Sequence, residues 1–143
     1  MTEVAFHFNI PERIPYVCRL LRKALARVEH VVVVAEAAQL EQLDQQLWHL
    51  SATDFLGHVR LGQSDALSTQ TARIWLTEQV ADCARHQVLV SLLPQVPTGF
   101  ESFERVIEIV GLEESDRALA RERWRHYTQR GYKIVRHDVQ VKG

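Results

Sequence analysis

The chain reads as an α/β protein, a three-layer sandwich around a largely parallel or mixed sheet. Two observations carry that expectation. Strand-like apolar runs alternate with segments of helical spacing along the whole chain. His30-Val31-Val32-Val33-Val34-Ala35 then sets four valines in a row, the mark of a strand buried on both faces, as in parallel sheets flanked by helices. With 143 residues, 46% of them hydrophobic and 24% charged, roughly two-thirds of the unfolded surface can be buried. That suffices for one globular domain over residues 1–143, and no repeat, low-complexity tract or linker divides it.

The elements follow in order. Val4-Ala5-Phe6-His7-Phe8 has strand character and ends at Asn9-Ile10-Pro11. Ile14, Val17, Leu20 or Leu21, Leu25 and Val28 carry helical spacing from Pro11 to about Glu29, with Pro15 confined to the first turn because it lacks an N–H. The valine strand comes next, then a second helix from about Ala37 to Leu47. Leu50 to Ser68 mixes Ser, Thr, Asp, Gly and Gln and reads as a long irregular connection. Ala72–Thr77 and Gln87–Leu93 read as strands, the latter stopped by Pro94, Pro97 and Gly99. Phe100 to Glu104 suits one helical turn, Arg105 to Val110 a strand, and an arginine-dense segment from Arg117 to Arg130 a helix. Glu113, Glu114 and Asp116 lie at that helix's positive end. Tyr132–Val135 closes the fold as a last strand.

Composition narrows the function classes. Cys18 and Cys83 make no disulfide framework, and Cys18 falls in a helix as a small apolar residue. The N-terminus has no basic region followed by a long apolar run, and no stretch approaches the roughly 18 apolar residues that span a bilayer. A reduced, cytoplasmic setting with no membrane contact is the expectation. A formal net charge of -1 argues against a domain that grips nucleic acid over its whole surface.

No enzyme active site is visible. The histidines stand at 7, 30, 49, 58, 86, 126 and 137, never as H-x-H or HExxH or beside a cysteine pair at ligand spacing, so no metal is expected. The junction Phe8-Asn9-Ile10-Pro11-Glu12 lacks the glycines of a dinucleotide or phosphate loop, as does Ala35-Glu36-Ala37-Ala38. A G-x-S-x-G elbow is absent, and Cys83 with His86 three residues on has no orienting partner. No cofactor is expected either.

The basic charge is local. Five arginines fall in the fourteen positions from 117 to 130. On a helix Arg117, Arg121, Arg125 and Thr128 share one stripe, with Trp124 at its edge beside Ala120 and Tyr127. The bland reading is a solvated basic face with Glu122 and its neighbours in ion pairs. The sharper one adds the strand before it, which can bring Phe103 and Val110 beside the same helix. An apolar pocket rimmed by guanidinium groups then suits a ligand that is both hydrophobic and anionic, such as a terminal carboxylate. Arg123 points around the helix from this stripe. A second candidate is Trp48 at a helix end, followed by Phe55, either a core plug or an anchor for a protein contact. Direct binding of single-stranded nucleic acid, by arginine contact to phosphate and base stacking on Trp124, is the alternative use of the basic helix.

Four segments together resemble the chi subunit family of bacterial DNA polymerase III holoenzyme. They are Leu43-Asp44-Gln45-Gln46-Leu47-Trp48, Phe55-Leu56-Gly57-His58, Phe103-Glu104-Arg105-Val106-Ile107-Glu108-Ile109-Val110, and Ala120-Arg121-Glu122-Arg123-Trp124-Arg125-His126-Tyr127 with Gly131-Tyr132. The order and spacing fit over essentially the whole chain. The resemblance implies a Rossmann-like fold without a catalytic centre. It also implies binding of the acidic, phenylalanine-terminated C-terminal tail of single-stranded-DNA-binding protein (SSB) and pairing with the psi subunit, which tethers the protein to the clamp loader. DNA contact would then be indirect, through SSB. By the same resemblance the tail site maps to Arg121, Trp124 and Arg125, with Phe103 and Val110 lining the pocket and Thr128 standing where relatives carry a further basic residue. Trp48 and Phe55 match the psi-facing aromatics. Gly57 departs from the proline often found before the histidine.

Overall fold

The computed structural model describes residues 2–50, 57–62, 66–80, 83 and 85–140. Among the described residues seven strands and four helices follow in the order β1 (Glu3–Ile10), α1 (Arg13–Ala24), β2 (Val31–Val34), α2 (Ala37–Leu50), β3 (His58–Arg60), α3 (Ala66–Thr71), β4 (Ile74–Thr77), β5 (Val88–Ser91), β6 (Arg105–Gly111), α4 (Glu114–Gln129) and β7 (Ile134–Asp138). A 3-10 turn, Phe100–Ser102, directly precedes β6. The strands form a single sheet in the order β3-β4-β2-β5-β6-β1-β7, and every pairing is parallel. The three-layer α/β expectation is met, and of the two sheet types allowed it is the parallel one.

The alternation of side chains along β2 explains the layers. Val31 and Val33 face α1 and α2, joining Ile14, Val17, Cys18 and Leu21 of α1 with Leu40, Leu43 and Leu47 of α2. Val32 and Val34 face the opposite way, into a cluster with Phe100, Phe103, Ala120 and Tyr127. The spacings, i, i+3, i+4 and i+7 on α1 and i, i+3 and i+7 on α2, each mark one apolar stripe laid on the sheet. All four valines are fully buried, as a strand covered on both faces requires.

The stretch read as an irregular connection contains β3 and the start of α3, whereas positions 51–56 and 63–65 lie outside the described residues. Three residues of strand, His58-Val59-Arg60, are too short to show a period against polar neighbours. The last strand begins two residues later than Tyr132 and continues to Asp138, three beyond Val135. Its side chains are mostly exposed because it is the edge of the sheet, so hydrophobic patterning does not mark it.

One backbone irregularity shapes the top of β1. Asn9 has φ 62°, a left-handed conformation that asparagine tolerates better than most residues. It breaks the register of β1 against β6 between His7 and Ile10. Its side chain donates to Asp138 Oδ1 at 3.0 Å, tying the ends of β1 and β7 together.

Candidate functional site

Helix α4 has three flanks with separate jobs. Ala120, Arg123 and Tyr127, at i, i+3 and i+7, turn inward and are buried. Arg117, Arg121 and Trp124 overhang a cleft, and Arg125 faces solvent. The start of the helix is set by Asp116, whose Oδ2 accepts from the Gly111 N–H at 2.6 Å and lies 3.7 Å from Arg13. A Cβ at position 111 would stand 3.2 Å from that same oxygen, so glycine keeps the turn from β6 into α4 tight.

The cleft has a volume of about 370 Å³. Phe6 and Phe8 of β1, Val110 of β6 and Ala120 of α4 supply its apolar surface; Arg117, Arg121 and Arg136 supply three cations around it. Trp124 lies 5.1 Å from Phe6, ring centre to ring centre and tilted by 54°. The Arg136 guanidinium stands 5.3 Å over Phe8 and 5.9 Å from the Trp124 ring, within cation–π range of both. Arg121 donates to Glu114 at 2.5 Å, and that hydrogen bond holds the Glu114 carboxyl below its usual range. Both side chains are well exposed, so the pair is of the kind worth little and easily exchanged for a ligand carboxylate. No carboxylate lies within ion-pair distance of Arg117 among the described residues, and its charge adds to that of Arg121 in holding the Glu114 carboxyl down. Chemically the cleft offers an aromatic slot with converging guanidinium groups, suited to an apolar side chain attached to an anion.

On the inward flank lies a second charged group of opposite purpose. Glu108 projects from the middle of β6 into the core with no exposure at all. It accepts from Arg123 Nε at 3.0 Å and from the Tyr127 hydroxyl at 2.7 Å, and Arg123 Nη1 donates to the Pro94 carbonyl at 2.8 Å. Burial pushes the Glu108 carboxyl up to about 7 against the opposing pull of Arg123 and Tyr127. Burial likewise raises the Tyr127 hydroxyl, so it remains a donor. This triad pins α4 to β6 and to the end of β5.

The residues singled out in the sequence are therefore divided. Val110, Arg121 and Trp124 meet in the cleft. Phe103 does not reach it. It sits before β6, buried against His86 at 5.1 Å, seven residues and therefore roughly 23 Å of strand from Val110. Arg125 points away and pairs with Glu122 at 3.0 Å. Thr128 turns its hydroxyl onto the Trp124 carbonyl at 2.9 Å. Arg123 does point around the helix, but inward to Glu108 rather than to solvent. Sequence reasoning missed Phe6, Phe8 and Arg136, which come from strands far away in the chain.

Trp48 is no core plug: 62% of it is exposed at the end of α2. Its ring meets His58 at 5.0 Å, and His58 Nε2 lies 2.9 Å from Asp44 Oδ1, so Asp44, Trp48 and His58 form one patch. Phe55 lies outside the described residues. Among the described residues no three His, Cys, Asp or Glu side chains are placed to hold a metal ion, and no helix is long and apolar enough to cross a membrane.

Comparison with known proteins agrees over nearly the whole chain. Residues 1–135 match the family model of the DNA polymerase III chi subunit, HolC. The DNA polymerase III subunit chi of Pseudomonas aeruginosa is 31% identical, over 97% of this chain and 98% of its own length. The corresponding subunits of Haemophilus influenzae and Escherichia coli K12 are 24% and 26% identical, over 85% and 82% of this chain and 84% and 80% of theirs. The chain belongs to the DNA polymerase III chi subunit family, and so to the replication machinery.

Proposed function

We propose that this chi-family protein is a non-catalytic adaptor whose α4 cleft binds the acidic C-terminal tail of SSB. The observation that carries the reading is the cleft between α4 and the β6-β1-β7 edge, where Phe6, Phe8 and Trp124 lie beneath Arg117, Arg121 and Arg136. A phenylalanine-terminated acidic tail presents a ring and a carboxylate to the same small volume, and side chains preceding it add negative charge. Charged hydrogen bonds of this kind contribute roughly 1.5–3 kcal/mol each.

A separate surface, the exposed Trp48 with His58 beside it and Phe55 following, serves as the contact for the psi subunit. The adaptor thereby joins SSB on the template to the clamp loader, and DNA is met only through SSB. Large exposed aromatics are the residue type that anchors protein interfaces.

Calorimetric titration with a synthetic acidic peptide ending in phenylalanine tests the first surface. Saturable binding that is lost when the terminal carboxylate is amidated is the expected result. Tighter binding of a single-stranded oligonucleotide than of the peptide would replace this reading with direct nucleic-acid recognition.

A further inference from the structure

The backbone beside the cleft is incompletely used. Among the described residues β7 is the edge of the sheet, paired on one side with β1 and with no strand on the other. The phase of its hydrogen bonds follows from two observations. Val139 N–H donates to the Phe8 carbonyl at 3.1 Å, so in the parallel ladder 135, 137 and 139 point their backbone groups at β1. On β1 itself, Glu3 N–H donates to the Glu104 carbonyl, so 3, 5 and 7 point at β6, leaving 4, 6 and 8 for β7. The N–H and C=O of Ile134 and Arg136 therefore point outward from the sheet.

These outward groups adjoin the cleft directly, because the Arg136 side chain forms part of its wall. The edge is also basic. Lys133 and Arg136 lie along it and are exposed, and Arg117 and Arg121 face Arg136 from across the cleft. The one acidic side chain of the strand, Asp138, is occupied at its Oδ1 by Asn9 and by the Gln140 N–H. An open, extended, positively charged edge is complementary to an extended acidic segment, and strand addition is how such a segment gains affinity from its main chain.

Building on the cleft reading above, we infer that the acidic peptide whose last residue fills the cleft continues as an eighth strand along β7, exchanging main-chain hydrogen bonds with Ile134 and Arg136. The terminal ring and carboxylate supply the anchor. The preceding acidic residues supply charge to Lys133 and Arg136, and their backbone supplies the alternation. Specificity for an extended peptide over a helical one follows, since only a strand can match the two-residue repeat of the edge.

The test uses the full chain and a set of synthetic acidic phenylalanine-terminated peptides, each N-methylated at one backbone nitrogen. Methylation removes one donor without altering charge. The expected result is alternation: every second methyl position weakens binding by about three- to tenfold, and those between leave it unchanged. Hydrogen exchange should slow at the amides of Ile134 and Arg136 on saturation, while that of Val135, already in the ladder, changes little. Tight binding without alternation and without slowing at 134 and 136 would overturn the strand while leaving the cleft intact. Failure of the unmodified peptide to bind would remove the cleft reading and the strand with it. If an oligonucleotide, not the peptide, slows these amides, the edge takes a different partner and the inference fails.

Discussion

Arg121 and Arg123 stand two residues apart on one helix and do opposite things. Arg123 is 2% exposed, bonded to Glu108 and Pro94, and holds α4 against the sheet. Arg121 is mostly exposed, held among the described residues by Glu114 alone, and overhangs the cleft. The same guanidinium thus builds the scaffold on one flank and lines an open cleft on the other. What separates them is the phase of the helix and not the residue type.

The largest effect expected on this contrast comes from Glu108→Ala. Arg123 cannot shed its charge, so removing its carboxylate strands a buried cation, at a cost of about 3–5 kcal/mol. Thermal denaturation should show a Tm lower by about 10 °C. Arg123→Ala should cost less, because the Glu108 carboxyl left behind can take up a proton. Equal losses for the two variants would show that the carboxyl remains charged without its partner. A Glu108→Leu/Arg123→Met double variant, which replaces the pair by apolar volume, should recover most of the loss.

Trp124→Ala comes next. It removes the ring over Phe6, and tail-peptide affinity should fall by about 2 kcal/mol or more in calorimetry. Arg117→Ala and Arg121→Ala should each weaken the peptide by about tenfold while leaving the melting temperature within the range of ordinary surface substitutions. A clear drop in Tm for Arg121→Ala would erase the distinction between the two flanks.

Acid sensitivity should belong to the scaffold. Burial holds His7 and His30 down to about 4, so between there and about 6.5 the unfolded chain binds more protons than the folded one. Their contribution is present above pH 6.5 and lost as pH falls toward 4. A His7→Gln/His30→Gln variant should lose about 2–4 kcal/mol less than the parent between pH 7 and pH 5 in denaturant melts, the lower figure allowing for solvent screening of the two rings. Arg125→Ala is expected to do least, within about 0.5 kcal/mol for both binding and stability, because its exposed partner Glu122 lies off the cleft.

Much of the fold was legible because buried parallel strands announce themselves in runs such as Val31–Val34. The polar, three-residue β3 gave no such signal. Half of the cleft was legible for a related reason: Arg117, Arg121 and Trp124 are close in sequence, so helical spacing alone groups them. Phe8 and Arg136 are separated by most of the chain, and only the pairing of β1 with β7 brings them together. The role of Arg123 did have a trace. It shares its phase with Ala120 and Tyr127, and Glu108 interrupts an otherwise apolar Val106–Val110 run. A lone acid in a buried strand calls for a cation on the helix that covers it.

The position of β1 between β6 and β7 has a consequence for how the protein comes into being. Its first strand can acquire neighbours only after residues 105–111 and 134–138 have been made. On the ribosome, Phe6 and Phe8 must remain without a sheet while nearly all the remaining chain is synthesised, whereas β2, β4 and β5 can already pair. Such long-range closure is slow, and it leaves an apolar strand open to capture by chaperones or by other nascent chains. Because both walls of the cleft depend on that closure, the cleft itself is completed last, as the final event of folding.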